Sequence, residues 1–393
     1  MRKPRPARRP QGRRAPKALA RDLELAPGIE VERLGSEGVL YAHAEQQILG
    51  LNAPATFVWY GIERGLSSER VTATFAKRFQ VSPAEAAHRV SSLLREWIGR
   101  GWLVPAPPAP RRRFARSGRY RLLGTTFRLR CATRAQHSLV HPALAHLEVA
   151  DGTAPDVALD LLADGTGHAV LEDGRETDRC ASLEALTPLV KASFWRLAVN
   201  RRRYFLQIHA AVLMRAGRCV LLPAEAGSGK STLAAGLAAT GFRYLSDEAA
   251  LLELPSLRVR PVPLALTVKP GSVPLLEPWY PGLGALPAHR REDGKTVRYL
   301  EPPRRARLRD PDRSYPVAAL VFPRVAPRTR LRALPRAEAL RRLLAQCLVL
   351  PEDLDAERVR LLVAWLRGLR CFELESGPLP QAMAAVRRAL GEP

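Results

Sequence analysis

Nine residues, Ala224-Glu225-Ala226-Gly227-Ser228-Gly229-Lys230-Ser231-Thr232, have the types and spacing to hold a phosphate chain. They fit the Walker A pattern with Ala224 in place of its first glycine, a position that makes the turn and need not touch phosphate. Gly227 and Gly229 free the backbone to turn successive N–H groups toward one ligand. A helix starting at Lys230 adds the partial positive charge of its N-terminus. Lys230 is placed to reach the β- and γ-phosphates, and the Ser231 hydroxyl to ligate Mg²⁺. An apolar strand before the loop and a helix bearing Leu233 and Leu237 after it supply the context the motif requires. The expected ligand is a nucleoside triphosphate with Mg²⁺; a glycine-rich turn without a nucleotide is the plain alternative.

This motif does not choose among ATPases, GTPases and kinases. Neither a guanine-reading Asn-Lys-x-Asp nor an ABC-type signature is present. The acidic pair Asp247-Glu248 begins 17 residues after Lys230, at the end of the next strand. A carboxylate there can hold Mg²⁺, with Asp247 as the candidate ligand, or accept a hydroxyl proton during phosphoryl transfer. Otherwise Asp247 caps a helix. His209, at the start of a strand hairpin, is a further catalytic candidate, although a lone histidine is more often structural. Lys269 and Arg298 are candidate contacts to substrate or phosphate, and each reads equally well as a surface cation. The tract Arg304-Arg305-x-Arg307 reads as a solvated loop.

These residues need elements to position them. Strands are expected at Ile208–Arg215 and Arg218–Pro223, joined by Ala216-Gly217, and at Tyr244–Ser246. Around them the pattern predicts strands near Tyr120–Cys131, His168–Leu171, Val317–Phe322 and Cys371–Leu374. Helices are expected at Ser182–Tyr204, Arg336–Gln346, Asp355–Arg367 and Pro380–Leu390. Upstream, Ile29–Leu34, Val39–Ala42 and Gln47–Leu51 read as strands. Three capped helices follow, opened by Asn52, by Ser67 or Ser68, and by Ser82 before Pro83 and Glu85. Their inward faces carry Ala55, Val58, Trp59 and Ile62, then Val71, Phe75 and Phe79, then Val90, Leu93, Leu94 and Trp97. A small three-stranded sheet with three helices suggests a winged-helix module.

The 393 residues imply two to three domains, and 46% apolar content excludes wholesale disorder. Residues 1–21 carry nine Lys or Arg and should form a disordered basic arm. Residues 22–105 form the first domain, 106–118 a Pro/Arg-rich linker, and 119–393 the second domain. No apolar run approaches the ~18 residues of a membrane span, and no apolar stretch follows the basic N-terminus to make a secretory signal. The five cysteines form no Cys-x-x-Cys pair, which points to reduced thiols and the cytoplasm. The net charge of +24 suggests nucleic acid, but only seven of the 62 basic residues are lysine and the arginines are scattered. A solvated basic surface is the expected reading, not a nucleic-acid partner.

The arrangement from His209-Ala210 through Ala216-Gly217, the phosphate loop and Gly241 to Ser246-Asp247-Glu248 resembles the catalytic core of HPr serine kinase and its bacterial relatives. The resemblance spans roughly 119–393 and is tight over 205–250. It implies an α/β fold related to phosphoenolpyruvate carboxykinases, ATP and Mg²⁺ as cofactors, and His209 in the active site. It also implies that the acidic pair supplies base and metal contact. Two departures stand out. Glu248 replaces the second Asp of the family's pair, which leaves open which member is the base. The family's Glu-Ile-Arg-Gly-Leu-Gly signature is missing, and Thr267-Val268-Lys269-Pro270-Gly271 stands near its place. HPr itself is therefore not the expected substrate, nor is the reverse phosphorolysis expected. The family's hexamers imply a homo-oligomer.

Residues 24–104 carry a second resemblance. Val39-Leu40, Leu51-Asn52-x-x-Ala55, Trp59, Leu94 and Gly101-Trp102-Leu103 look like the PqqD family of peptide-recognition modules. It implies that a leader peptide adds as a strand to the small sheet and rests on the third helix. The implicated surface is Gln46, Gln47, Ile48 and Leu49 with the exposed side of Ala84–Gly99, including Arg89. A DNA-binding winged helix is the alternative, and only Arg89 and Arg95 on the inner turns would support it. Together the two halves imply an α+β and α/β chain acting as a leader-guided kinase on a Ser or Thr hydroxyl of a ribosomally made precursor peptide. The alternatives are an ATP-dependent phosphotransferase on another acceptor and a non-catalytic, ATP-gated peptide chaperone or regulator.

Overall fold

The computed structural model describes residues 23–105, 112–150, 152, 154–349 and 354–392. The basic arm at 1–21 and the linker residues 106–111 lie outside the described residues. The chain forms two compact units, one comprising the residues up to Arg112 with Asp173–Arg175 and one comprising Arg113–Glu172 and Glu176 onward.

The first unit runs β1 (Leu23–Leu25), β2 (Ile29–Leu34), β3 (Glu37–Ala42), β4 (Gln47–Leu51), α1 (Ala53–Glu63), α2 (Ser68–Phe79), α3 (Pro83–Gly99) and β5 (Leu103–Pro105). Strands β2, β3 and β4 form an antiparallel meander, while β1 pairs with β5 in a second, two-stranded sheet. Strands of three residues are too short to show a period, so this second sheet has no sequence signal. Each helix starts on a side-chain cap. Asn52 Oδ1 accepts from the Ala55 N–H at 3.0 Å, Ser67 Oγ from Arg70 at 3.3 Å and Ser82 Oγ from Glu85 at 3.2 Å. Trp59 of α1 and Trp97 of α3 meet edge to face, with ring centroids 5.1 Å apart. Leu40, Val71, Phe75, Val90 and Leu94 complete the buried core around them.

The second unit opens with β6 (Arg116–Leu122), β7 (Thr125–Cys131), α4 (Arg134–Val140), β8 (Val157–Asp164), β9 (Gly167–Glu172), β10 (Arg175–Cys180) and α5 (Leu186–Val199). Strand β6 begins inside the stretch expected as linker. The five strands make one sheet in the order β10-β9-β8-β7-β6, and Leu189, Val190 and Phe194 of α5 share its core. The chain continues with β11 (Leu206–Ile208), β12 (Ala210–Arg215), β13 (Arg218–Pro223), α6 (Lys230–Ala239), β14 (Arg243–Ser246), β15 (Ala250–Glu253), β16 (Arg258–Arg260) and β17 (Leu266–Val268). It ends with α7 (Val273–Leu276), β18 (His289–Arg290), β19 (Thr296–Leu300), β20 (Val317–Val325), β21 (Arg330–Ala333), α8 (Arg336–Ala345), β22 (Cys347–Val349), α9 (Ala356–Arg367), β23 (Arg370–Ser376) and α10 (Leu379–Ala389).

A mixed six-stranded sheet, β14-β12-β13-β20-β23-β21, carries the centre of this unit. Strand β12 shows why it is apolar throughout. Ala211 and Leu213 pack under α6 and α10, while Val212 and Met214 face α8 and α9 on the other side. Two smaller sheets, β16-β15-β11-β22 and β17-β19-β18, flank it. The sequence predicts one strand over Ile208–Arg215; the structure breaks it at His209. Ile208 pairs with Ala250 and Cys347 in one sheet, and Ala210 pairs with Pro223 in the other. The His209 N–H, belonging to neither ladder, donates to the Gln346 carbonyl at 2.7 Å. All five cysteines are free. Among the described residues no helix is long and apolar enough to cross a membrane.

Candidate functional site

Strand β13 ends at Pro223 and α6 begins at Lys230, so the phosphate loop is the connection between them. Gly227 (φ 95°) and Gly229 (φ 83°) both adopt the left-handed region, where a side chain would be strained. Gly229 caps α6 with its backbone alone, and no side chain takes the first-turn N–H groups. Helix starts of this kind bind anions. A second observation points the same way: Ser228 Oγ is buried in the loop without a hydrogen-bond partner in the protein.

Lys230 is 5% exposed. Its Nζ lies 3.0 Å from His209 Nε2, and His209 Nδ1 lies 3.1 Å from the Glu248 carbonyl. A carbonyl can only accept, so the network assigns the ring proton to Nδ1 and leaves Nε2 to accept from the Lys230 ammonium. Burial first, then the Lys230 charge, pushes His209 below the usual imidazole range. The neutral ring steadies Lys230. Burial also lowers Lys230 itself, with Lys269 adding to the effect and Asp247 opposing it.

Asp247 and Glu248 occupy the turn between β14 and β15. Ser246 Oγ fixes this turn by accepting the N–H groups of Glu248 at 3.2 Å and Ala249 at 3.1 Å. No helix starts there, so Asp247 is not a helix cap. It is 2% exposed; Oδ1 accepts from the Tyr244 hydroxyl and Oδ2 from the Thr267 N–H, both at 2.9 Å. Glu248 Oε1 accepts from Lys191 Nζ at 2.6 Å and from Thr267 Oγ1 at 3.2 Å. The environment drives the two carboxyls apart. Burial raises Asp247 above the usual range, against the pull of Lys191. Burial would raise Glu248 too, but the Lys191 charge and these hydrogen bonds outweigh it and hold Glu248 low. Neighbouring carboxyls separated in this way are a mark of acid–base sites.

The loop from Ala226 to Thr232, His209, Asp247 and Glu248 line one pocket of about 180 Å³, completed by Thr267, Lys269, Ser272 and Arg291. Ala224 and Glu225, the first two residues of the motif, are not in the lining. Arg298 is also outside it, with Nε donating to the Leu286 carbonyl at 3.1 Å. Its place on β19, inside a small sheet, is what removes it from the site. Among the described residues no cluster of three or more His, Cys, Asp or Glu could bind a metal unaided. Mg²⁺ bound with a nucleotide needs only one or two protein ligands besides phosphate, and Ser231 and Asp247 in one lining fit that demand.

In the first unit β4 pairs with β3 alone among the described residues, leaving its outer edge open. Gln46 is a turn residue (φ 51°) whose Nε2 donates to Tyr41 Oη at 2.9 Å and the His43 carbonyl at 2.8 Å. Gln47 is exposed, Ile48 is 72% exposed, and Leu49 packs on the core that also holds Val90 and Leu94 of α3. Arg89 pairs with Glu85 one turn back on its own helix. A groove of about 1110 Å³ separates α2 from α3, with Ala73, Ala76, Ala87, Val90 and Leu94 in its lining; Arg89 does not line it.

The family model that matches this chain, described as coenzyme PQQ synthesis protein D (PqqD), covers residues 37–103. Those residues are PqqD-like. Two solved structures are similar to the chain. One is described as TbiB1 in complex with the TbiA(beta) leader peptide; it is 17% identical, covers 21% of this chain and 98% of its own, and has a TM-score of 0.21. The other, lasso peptide synthetase B1 complexed with the leader peptide, is 20% identical, covers 21% and 99%, and has a TM-score of 0.20. No curated protein matches the chain. The match runs from the start of β3, through the three helices, to the first residue of β5, so β4 and α3 both lie within the PqqD-like segment.

Three pocket residues have no motif to announce them. Arg291 lies in a loop, Ser272 ends the short 3₁₀ turn Pro270–Ser272, and Thr267 ties both carboxyls with its N–H and its hydroxyl. Behind them stands Lys191 of α5. One signal for it is that it is a lysine in an arginine-dominated chain, within the run Leu189–Phe194 whose other residues are apolar but for Ser193.

Proposed function

We propose that the chain is a leader-guided, ATP-dependent kinase that phosphorylates a Ser or Thr hydroxyl of a ribosomally made precursor peptide. The observation that carries this reading is one chain joining a PqqD-like segment to a pocket where a phosphate loop, Lys230 and two carboxyls converge. In this reading the second unit is a kinase related to HPr serine kinase, working in the cytoplasm. Lys230 and the loop N–H groups hold the β- and γ-phosphates, and Ser231 with Asp247 would hold Mg²⁺. When bound, Mg²⁺ neutralises charge on the transferring phosphoryl group. His209 keeps Lys230 in place, and the acidic pair takes the acceptor proton. A pocket of about 180 Å³ suits the phosphates, with the nucleoside lying outside it.

The leader would add to the outer edge of β4, with backbone N–H and C=O groups giving affinity and Ile48 an apolar contact. Tethering the acceptor through its leader raises its local concentration without any new contact at the reacting centre. The test is incubation of the protein with Mg-ATP and a precursor peptide encoded next to it, read by intact mass. The reading expects the gain of one phosphoryl group, lost in Lys230→Ala and reduced when the leader is removed. A gain indifferent to the leader removes the guiding role. Bound ATP with no transfer to any peptide refutes the kinase.

A further inference from the structure

We propose that Lys191 is a positioning residue that fixes Glu248, through its free Oε2, as the group that accepts the acceptor's proton. This rests on the kinase reading above and adds to it the role of a buried lysine behind the acidic pair. The hydrogen-bond inventory separates the two carboxyls. Each Asp247 oxygen already accepts one hydrogen bond, from Tyr244 and from the Thr267 N–H, the residue is 2% exposed, and what acceptor capacity remains is the part that would meet Mg²⁺. The Glu248 side chain lines the pocket and keeps 39% of its surface exposed. Only its Oε1 is engaged, and Oε2 accepts no hydrogen bond among the described residues.

Lys191 supplies the restraint. Its side chain is 5% exposed and does not line the pocket, so it cannot meet phosphate or peptide. An ammonium has three hydrogens. One goes to Glu248 Oε1 at 2.6 Å and one to Thr267 Oγ1 at 2.9 Å, and the group sits 5.0 Å from the centroid of the Tyr299 ring. Thr267 and Tyr299 are cross-strand partners on β17 and β19, so the seat of the ammonium is built by that sheet. Thr267 accepts from Lys191 and passes its own hydroxyl hydrogen to Glu248 Oε1, so the same oxygen is held from two directions. With Oε1 held from both sides, Oε2 is the oxygen left for a hydroxyl brought to the pocket. In the transfer, the acceptor hydroxyl oxygen bonds to the γ-phosphorus and the bond from that phosphorus to the β,γ-bridging oxygen breaks. ADP leaves with that electron pair, and the hydroxyl proton passes to Glu248 Oε2 and then to water.

The test compares Lys191→Met, Glu248→Gln and the double variant for peptide phosphorylation, with Mg-ATP affinity measured separately by calorimetry. Lys191→Met should lower turnover about a hundredfold, the cost of a misplaced reacting group, while Mg-ATP affinity stays unchanged. Glu248→Gln should lower it about 10²–10⁴-fold, and the double variant should be no worse than Glu248→Gln, because Lys191 acts through that residue. If Lys191→Met does not fold, Thr267→Val removes the shared hydroxyl near-isosterically and should depress turnover with the same indifference of nucleotide affinity. Wild-type turnover in Lys191→Met, losses that multiply in the double variant, or full activity in Glu248→Gln beside an inactive Asp247→Asn would each overturn the assignment. Absence of transfer by the wild-type protein would bring down the kinase reading, and this assignment with it; the other outcomes leave the kinase standing.

Discussion

Mild acid should destabilise the larger unit before its carboxyls titrate. His146 and His289 are both held down to about 4, chiefly by burial. In each a hydrogen bond with a backbone group, of Pro263 for His146 and Glu184 for His289, pulls weakly the other way; at His146 the Arg307 and Lys191 charges reinforce the fall. His146 Nε2 donates to the Pro263 carbonyl at 2.5 Å, and its Nδ1 is buried without a partner, as is Nδ1 of His289. Protonation would bury a new cationic donor with nothing to receive it. Because the folded value lies below the unfolded one, the unfolded chain takes up protons first as pH falls. The stability is complete above about pH 6.5 and drains away down to about pH 4. Between pH 7.5 and 5 each histidine removes about 2 kcal/mol and the pair about 4, from a total of roughly 5–15 kcal/mol for a folded domain. His137 and His209 shift in the same direction and add to the loss. Guanidinium unfolding curves at half-unit steps from pH 7.5 to 5 measure it, beside a His146→Gln, His289→Gln double variant that keeps neutral polar groups at both places. The wild-type protein should lose about 4 kcal/mol through this pair, and the variant much less. A flat wild-type profile, or a variant that falls as steeply, would refute the reasoning.

Three further variants bear on the binding surfaces. Ile48→Asp should weaken leader binding at least about tenfold, or 1.4 kcal/mol by calorimetry, while changing stability by under about 0.5 kcal/mol, since the side chain is 72% exposed. Ala87→Trp, which fills the groove between α2 and α3, should leave leader affinity unaltered; the reverse pattern would move the leader from the β4 edge into the groove. If the pocket holds the phosphates as proposed, Arg291→Ala should raise the KM for ATP several-fold with no loss of fold, because Arg291 is in its lining and its one ion pair among the described residues, with Asp293, is 3.4 Å long. An unchanged KM would make it an ordinary surface cation.

What the sequence made legible was local. Asn52, Ser67 and Ser82 cap helices because each cap is completed within three residues, and the phosphate loop is likewise a contiguous run. The left-handed backbone at Gly227 and Gly229 is what glycine at those loop positions permits. What stayed hidden depends on chain returning from far away. The break at His209 exists because Gln346, on a distant segment, takes its N–H. The sheet of β1 and β5 joins strands at opposite ends of the first unit. Arg298 shows the converse error: a cation at a plausible distance along the chain from the loop is carried by β19 into a contact with Leu286 instead.

Lys191 is the sharpest case, 57 residues from Glu248 and 76 from Thr267, with no spacing rule to connect the three. Its position nevertheless has an electrostatic logic. Asp247 and Glu248 stand side by side in the lining, and two bare carboxylates there would repel each other. Placing the ammonium behind them, outside the lining, offsets that mutual repulsion without taking space in the pocket. Lys230, Lys269 and Arg291 are then left facing the space where phosphates would lie. Because Lys191 is buried, salt screens its effect on Glu248 far less than it screens the exposed Lys269 and Arg291. The buried cation thus serves the carboxyl, and in the proposed reading the cations of the lining serve the anion.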